Sequence, residues 1–308
     1  MEFVHKSVLF CESIDALNIK SDGIYVDGTA GGGGHSSAIA ERLQNGRLVC
    51  IDRDPDAISV LRERFKGNEK ITVVQETFDS IDKVLDDLKI EYVNGVLLDL
   101  GVSSYQLDNA ERGFSFHADA PLDMRMSKQG FSARDLVNEF DEKEIAKILW
   151  TYGEEKFSRQ IASAIVRQRQ RKPIETTFAL SEVIKSAMPA AAKRDGHPAR
   201  RSFQAIRIAV NDELQKLDIT LNKAFERLDA GGVLAVITFH SLEDRMVKQR
   251  FAEFCKGCTC PPDFPVCVCG NKAKGKMPFK SISPSEEELN ENPRSRSARL
   301  RAVERIQR

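Results

Sequence analysis

The sequence predicts an α/β protein, a doubly wound, Rossmann-like sheet interrupted by an all-helical insertion. Three observations carry this. Four apolar strand-like runs alternate with amphipathic helix-like stretches over the first hundred or so residues. No strand-like run follows for roughly another hundred residues. An apolar, β-branched segment then begins at Val233 and returns the chain to the sheet.

Composition fits that class. The chain has 308 residues, 46 basic against 46 acidic, with 41% hydrophobic and 30% charged side chains, a globular balance able to bury a core. The longest apolar run, 232–239, is far shorter than the ~18 residues a membrane helix needs. The opening MEFVHKSVLFCES lacks the basic, apolar, small-residue order of a signal peptide, so no membrane association and a cytoplasmic location are expected. Five of the seven cysteines fall between Cys255 and Cys269, which argues against a distributed disulfide framework; Cys11 and Cys50 are expected as reduced core residues. Zero net charge conceals basic stretches at 156–172, 193–207 and 272–280, and a tail from Arg294 to Arg308 with six arginines.

In order, strands are expected at 24–27, 47–52, 71–75 and 95–99, with helices at 35–43, 55–65 and 80–88. Helical periodicity then runs through 132–140, 142–150, 154–171 and 177–187, punctuated by Gly153, Pro173 and Pro189. Apolar positions from Phe203 to Leu228 step by threes and fours, predicting one long helix stopped at Gly231-Gly232, followed by a strand at 233–239. The expected organisation is a discontinuous core, residues 1–105 and 206–308, around a helical substrate-recognition insertion, residues 106–205.

The first strand ends in Asp27-Gly28-Thr29-Ala30-Gly31-Gly32-Gly33-Gly34-His35, where the next helix begins. Glycines here let a ligand lie on bare backbone beside the orphan N–H groups of a helix start. The dinucleotide fingerprint fails, because from Gly28, Gly31 or Gly32 a required glycine is replaced by Ala30, Ser36 or Ser37. The phosphate loop fails as well, since Gly34-His35 stands where Lys-Ser/Thr belongs. Asp52 ends the second strand, where a carboxylate can accept both hydroxyls of an adenosine ribose, and Asp99 ends the fourth, on the same crevice. An adenosine ligand without pyrophosphate, in an acid-lined crevice, points to cationic S-adenosylmethionine.

Five motifs, VDGTAGGGGHS, LLDLGVSSYQLDNAERGFSFHADAPLDMRM, HPARRSFQAIRIAVNDEL, ITFHSLEDRMVK and ENPRSRSARLR, closely resemble the bacterial small-subunit ribosomal RNA methyltransferase H family (MraW-type) over nearly the whole chain. The resemblance implies a class I methyltransferase core with an inserted helical domain. It implies methylation of the exocyclic N4 of a cytidine in 16S ribosomal RNA near the decoding centre, with that RNA, in the 30S subunit, as partner. By matching motif, the cofactor contacts it implies are Gly33, Gly34, His35, Asp52, Phe78, Asp99 and Gln106.

Generic N4-cytosine enzymes carry Asp/Asn/Ser-Pro-Pro-aromatic after the fourth strand, whereas this chain reads Asp99-Leu100-Gly101-Val102. The acceptor for the amine hydrogens is therefore expected at Asp99 or a backbone carbonyl of Leu100 or Gly101, with the hydroxyls of Ser103 and Ser104 as second choice. His240, ending the returning strand, is expected either as a structural residue or as a substrate contact. Arg167, Arg169, Arg200, Arg201 and Arg207 are expected to clamp phosphates. Cys255, Cys258, Cys260, Cys267 and Cys269 fall outside the motifs of the resemblance; structural zinc, free thiols and disulfides are all open for them. Two other readings compete: a DNA N4-cytosine methyltransferase, disfavoured by the missing proline pair, and a non-catalytic nucleic-acid-binding protein.

Overall fold

The computed structural model describes residues 7–190, 197–261, 264 and 266–307. Lys193, Arg194 and Arg308 of the basic stretches, and residues 1–6 of the opening segment, lie outside the described residues. The chain forms two compact units, Met1–Gly101 with Leu214–Arg308, and Val102–Glu213.

The first unit begins with α1 (Phe10–Ala16), β1 (Ile24–Asp27), α2 (Gly34–Arg42), β2 (Arg47–Asp52), α3 (Pro55–Arg64), β3 (Ile71–Gln75), α4 (Ile81–Asp87) and β4 (Val93–Asp99). The second unit is helical: α5 (Ser104–Asp108), α6 (Ala133–Glu139), α7 (Glu142–Gly153), α8 (Ser158–Arg171), α9 (Thr177–Ala187) and α10 (Arg200–Asn211). The chain returns with α11 (Glu213–Glu226), β5 (Leu228–Thr238), α12 (Ser241–Phe254), β6 (Gly275–Lys276), α13 (Glu286–Glu291) and β7 (Arg299–Arg305). Among the described residues no helix is long and apolar enough to cross a membrane.

The sheet order is β3-β2-β1-β4-β5-β7-β6. The first five strands are parallel, and β7 runs antiparallel between β5 and β6. The alternation of side chains along each strand divides the core. Val26, Val49, Ile51, Val96, Leu98 and Val236 pack on one face with α4, α11 and α12, while Tyr25, Leu48, Cys50, Leu97 and Ile237 pack on the other with α1, α2 and α3. The order of strands reverses between β1 and β4, so their carboxyl ends open the crevice in which such folds bind ligands. The second unit has a core of its own, built on Leu136, Ile145, Leu149, Ile161, Ile165, Leu180 and Phe203.

The structure corrects several sequence expectations. The helix read from 203 to 228 is two helices, broken at Asp212 in left-handed backbone, φ 53°. Asn211 fixes the break: its side chain accepts from Met126 N at 2.9 Å and donates to Met124 O at 2.7 Å. An Asp at the corner tolerates the left-handed turn better than most residues. Gly231-Gly232 is no helix stop either. It lies within β5, which begins at Leu228, where the pairing with β4 jumps from Val93↔Leu228 to Gly95↔Val233. The arginine-rich tail contains β7, whose Arg301 is buried and donates to Asp244 at 2.7 and 3.1 Å. Cys50 is buried as expected, but Cys11 is exposed.

Candidate functional site

The site on the first unit is built where β1, β2 and β4 end. Gly33, the N-cap of α2, has φ 83°, a conformation that glycine alone adopts without steric cost. A Cβ on Gly28 would come within 2.6 Å of Leu98 Cδ2 and 3.5 Å of Phe78 Cβ, so the loop lies closely against β4 and Phe78. Gly32, by contrast, faces open space: a Cβ there would meet nothing within 4 Å. Bare backbone is thus presented to a ligand at the middle of the glycine run.

Carboxylates frame this loop. Asp52 accepts the N–H of Gly31 through Oδ2 and that of Asp54 through Oδ1, both at 2.8 Å. Burial still pushes its carboxyl upward, those two N–H donors opposing. Asp27 is fully buried; it accepts from Ser36 Oγ at 2.6 Å and from Thr29 N at 3.3 Å. Burial raises its carboxyl to about 6 despite these donors, with the charge of Asp52 adding to the rise. The hydroxyl of Thr29 accepts from Asp99 N at 2.6 Å and so joins the loop to the end of β4.

Asp99 is the most perturbed acid of the group. Removal from water drives its carboxyl well above the ordinary range, and the carboxylates of Asp27 and Glu243 drive it further. Its Oδ2 lies 3.7 Å from His35 Nδ1, and His35 stacks on Phe10. Its Oδ1 is buried and makes no hydrogen bond among the described residues. A cation would satisfy such a cluster of carboxylates, whereas a pyrophosphate would be repelled.

His240 is the N-cap of α12: its Nδ1 accepts from Glu243 N at 3.4 Å. Glu243 reciprocates by accepting from His240 N at 3.3 Å and from Phe239 N at 2.8 Å. The ring's Nε2 lies 3.1 Å from Glu243 Oε1, without the alignment of a hydrogen bond. His240 therefore has a structural task. Sequence reasoning passed over Glu243, Asp27, Thr29 and Ser36; the spacing His-Ser-Leu-Glu, a cap residue with Glu three places on, is the signal that could have found Glu243.

On the second unit, Ser103 and Gln106 form a capping box at α5, with Gln106 N donating to Ser103 Oγ at 3.2 Å and Ser103 N to Gln106 Oε1 at 3.0 Å. Ser104 opens that helix. The expected phosphate clamp is only partly available. Arg207 is bound in a bidentate pair with buried Glu213, at 2.9 and 3.0 Å, and Arg169 donates to Val137 O at 3.0 Å. Arg167 and Arg201 are exposed, though Arg167 donates to Ser163 Oγ one turn back and Arg201 donates to Glu154 O beyond the end of α7, and Arg200 is exposed at the start of α10.

A family model described as the MraW methylase family matches residues 2–306. The chain belongs to the MraW methylase family. Membership makes it a class I methyltransferase, in keeping with the strand order and the antiparallel β7, and S-adenosylmethionine is the cofactor that membership brings. Relatives named ribosomal RNA small subunit methyltransferase H include the Lachnospira eligens protein, 55% identical with 99% of each chain covered. The Brevibacillus brevis protein is 56% identical, again over 99% of each chain, and that of Clostridium botulinum strain Kyoto 54% identical, over 99% of this chain and 100% of the relative. The family resemblance drawn from the five motifs is thereby established across the chain.

Proposed function

We propose that the protein methylates the exocyclic N4 of a cytidine in 16S ribosomal RNA, near the decoding centre, acting in the cytoplasm with the RNA in the 30S subunit. The names of the relatives support the RNA class, and the resemblance supports the base and atom. The observation that carries the chemistry is the buried Asp99 Oδ1 at the end of β4, which has no hydrogen-bond partner among the described residues.

S-adenosylmethionine, when bound, supplies an electrophilic methyl group on a sulfonium. Gly33, Gly34, His35, Asp52, Phe78 and Asp99, with Gln106, hold it in this reading, and Asp52 is the ribose anchor. The cytosine amine is a poor nucleophile because its lone pair is delocalised into the ring. Asp99 Oδ1 would accept an N4 hydrogen, favouring the pyramidal amine, and would take that proton as N4 gains the methyl group, the S–C bond breaking to leave a neutral thioether. Its raised basicity suits that role, provided a positive charge nearby keeps it ionised beforehand. Ser103 and Ser104 remain second-choice acceptors, Ser103 being already engaged as a helix cap. His240 positions the start of α12 through its cap, and with it Glu243. Arg167, Arg200 and Arg201 offer positive charge to RNA phosphates. The target base must be single-stranded or flipped, because a stacked cytosine cannot bring N4 in line with the methyl group.

The test is single-turnover methylation of purified 30S subunits at saturating cofactor, with identification of the product nucleoside. N4-methylcytidine is expected. Methyl groups on cytosine C5, on adenine or on DNA would overturn the substrate assignment.

A further inference from the structure

Between the end of α12 at Phe254 and β6 at Gly275 the chain has no regular secondary structure among its described residues, and most of them are exposed. Phe264, Val266 and Val268 are 51%, 70% and 73% exposed, so this loop has no apolar core to offset the entropy of ordering it. Its base is nevertheless pinned. Lys274 N donates to Phe254 O at 3.0 Å, and Asn271 Nδ2 donates to Lys256 O at 3.2 Å and Gly257 O at 2.7 Å.

Four sulfurs converge in this loop. Those of Cys258, Cys260, Cys267 and Cys269 all lie within 4.8 Å of one another. Cys258 and Cys267 are 3.3 Å apart, Cys267 and Cys269 3.6 Å, Cys258 and Cys269 3.7 Å, and Cys260 and Cys267 4.0 Å. A disulfide needs about 2.05 Å, so these are not bonded pairs. Four thiolates placed tetrahedrally about zinc at ~2.3 Å stand about 3.8 Å from one another, in the middle of this range. The backbone around them is also arranged for anionic sulfur. Val268 N and Cys269 N both donate to Cys260 Sγ at 3.3 Å, while Thr259 N and Asn271 N donate to Cys269 Sγ at 3.3 and 3.4 Å. Cys255, the fifth member of the cluster in the sequence, does not join them; it follows α12 and packs against the sheet core.

We propose that Cys258, Cys260, Cys267 and Cys269 form a closed tetrathiolate site that holds one structural zinc ion. The four thiols give up their protons to solvent as the four Zn–S bonds form, with no change of oxidation state. The resulting centre carries about two negative charges, and Lys256, Lys272 and Lys274 flank it in sequence. With no coordination position left for water, the ion organises the loop and takes no part in methyl transfer.

Elemental analysis of the full chain, purified without chelator, is expected to give about one zinc per chain. Blocking the thiols with a mercurial should release it to a chromogenic chelator. The double variant Cys267→Ser/Cys269→Ser should lose at least nine-tenths of the zinc, whereas Cys255→Ser should keep it. Cofactor binding measured by calorimetry on the same samples reports whether the core is folded. Cobalt reconstitution of the unsubstituted chain is independent of any variant's folding, and should give the intense visible bands of tetrahedral thiolate coordination. Four titratable thiols with neither zinc nor cobalt uptake would overturn the proposal, as would iron at the site, a disulfide among the four, or zinc retained by the double variant.

Discussion

The backbone N–H of Gly31 donates to Asp52 Oδ2 at 2.8 Å, tying the glycine loop after β1 to the carboxylate that ends β2. The other oxygen is held by Asp54 N. Asp52 thus organises the loop before any ligand arrives, with lone pairs still available for ribose hydroxyls.

Asp52→Ala should accordingly weaken S-adenosylmethionine binding by about 1.5–3 kcal/mol, roughly ten- to 150-fold. Asp52→Asn, which keeps one oxygen acceptor, should lose less. Isothermal calorimetry on folded variants checks this, and unchanged affinity in the alanine variant would remove Asp52 from the cofactor site.

Stability should depend on pH through Asp27. Its carboxyl ionises at about 6 in the folded chain, against an ordinary value of 3.8, because it is buried. Between those values the folded state binds more protons than the unfolded state, so stability falls as pH rises from about 4 to about 6 and the penalty is complete above that. Asp27→Asn keeps an acceptor for Ser36 and abolishes the titration. The variant should gain up to about 3 kcal/mol over the parent chain between pH 4 and pH 7. Urea unfolding of both proteins across this range measures the difference; parallel profiles would show that Asp27 does not govern it.

A cationic cofactor favours the ionised acids, which gives a second pH effect of opposite sense. Affinity for S-adenosylmethionine should rise as pH passes through about 6, where Asp27 loses its proton. The slope should be shallower in Asp27→Asn. Calorimetric titrations at several pH values, in buffers of different ionisation enthalpy, would count the protons released.

Asp99→Asn is expected to lower the single-turnover rate by at least a hundredfold, with cofactor binding measured separately because Asp99 is also proposed as a cofactor contact. The amide cannot take the N4 proton. A variant that binds cofactor and reacts at the normal rate would move the acceptor to a backbone carbonyl of Leu100 or Gly101.

The arginines of the second unit should separate into two groups. Arg207→Ala leaves buried Glu213 without its bidentate partner and should destabilise the fold by roughly 3–5 kcal/mol. Arg167 and Arg200 are exposed, and their joint replacement by alanine should raise the KM for 30S subunits and reduce its salt dependence, with kcat little changed. Thermal unfolding and steady-state kinetics at two salt concentrations distinguish these outcomes.

Local patterning was sufficient for the first half of the sheet and for the family. β1, β2 and β3 have the residue bounds that their apolar runs predict; β1 and β2 do so because parallel strands buried on both faces leave continuous hydrophobic runs, and β3, half-buried at the sheet edge, keeps the β-branched run 71–74. The glycine loop and Asp52 were legible for a related reason: a strand, a turn and a helix start are neighbours in the chain. Features that depend on distant partners became visible only in the folded chain. β7 was hidden because its arginines resemble a solvated tail until Asp244 is seen paired with Arg301, and its place between β5 and β6 is a pairing no local period encodes. The break at Asp212 follows from Asn211 reaching back to Met124 and Met126, and the role of Gly231-Gly232 follows from the shifted register against β4. The upward shift of the Asp99 carboxyl arises from its burial and from Asp27 and Glu243, distant in sequence and brought close only by the fold. Likewise, five similar thiols in the sequence became four that meet and one that packs on the core, because helix α12 ends at Phe254 and fixes where Cys255 can point.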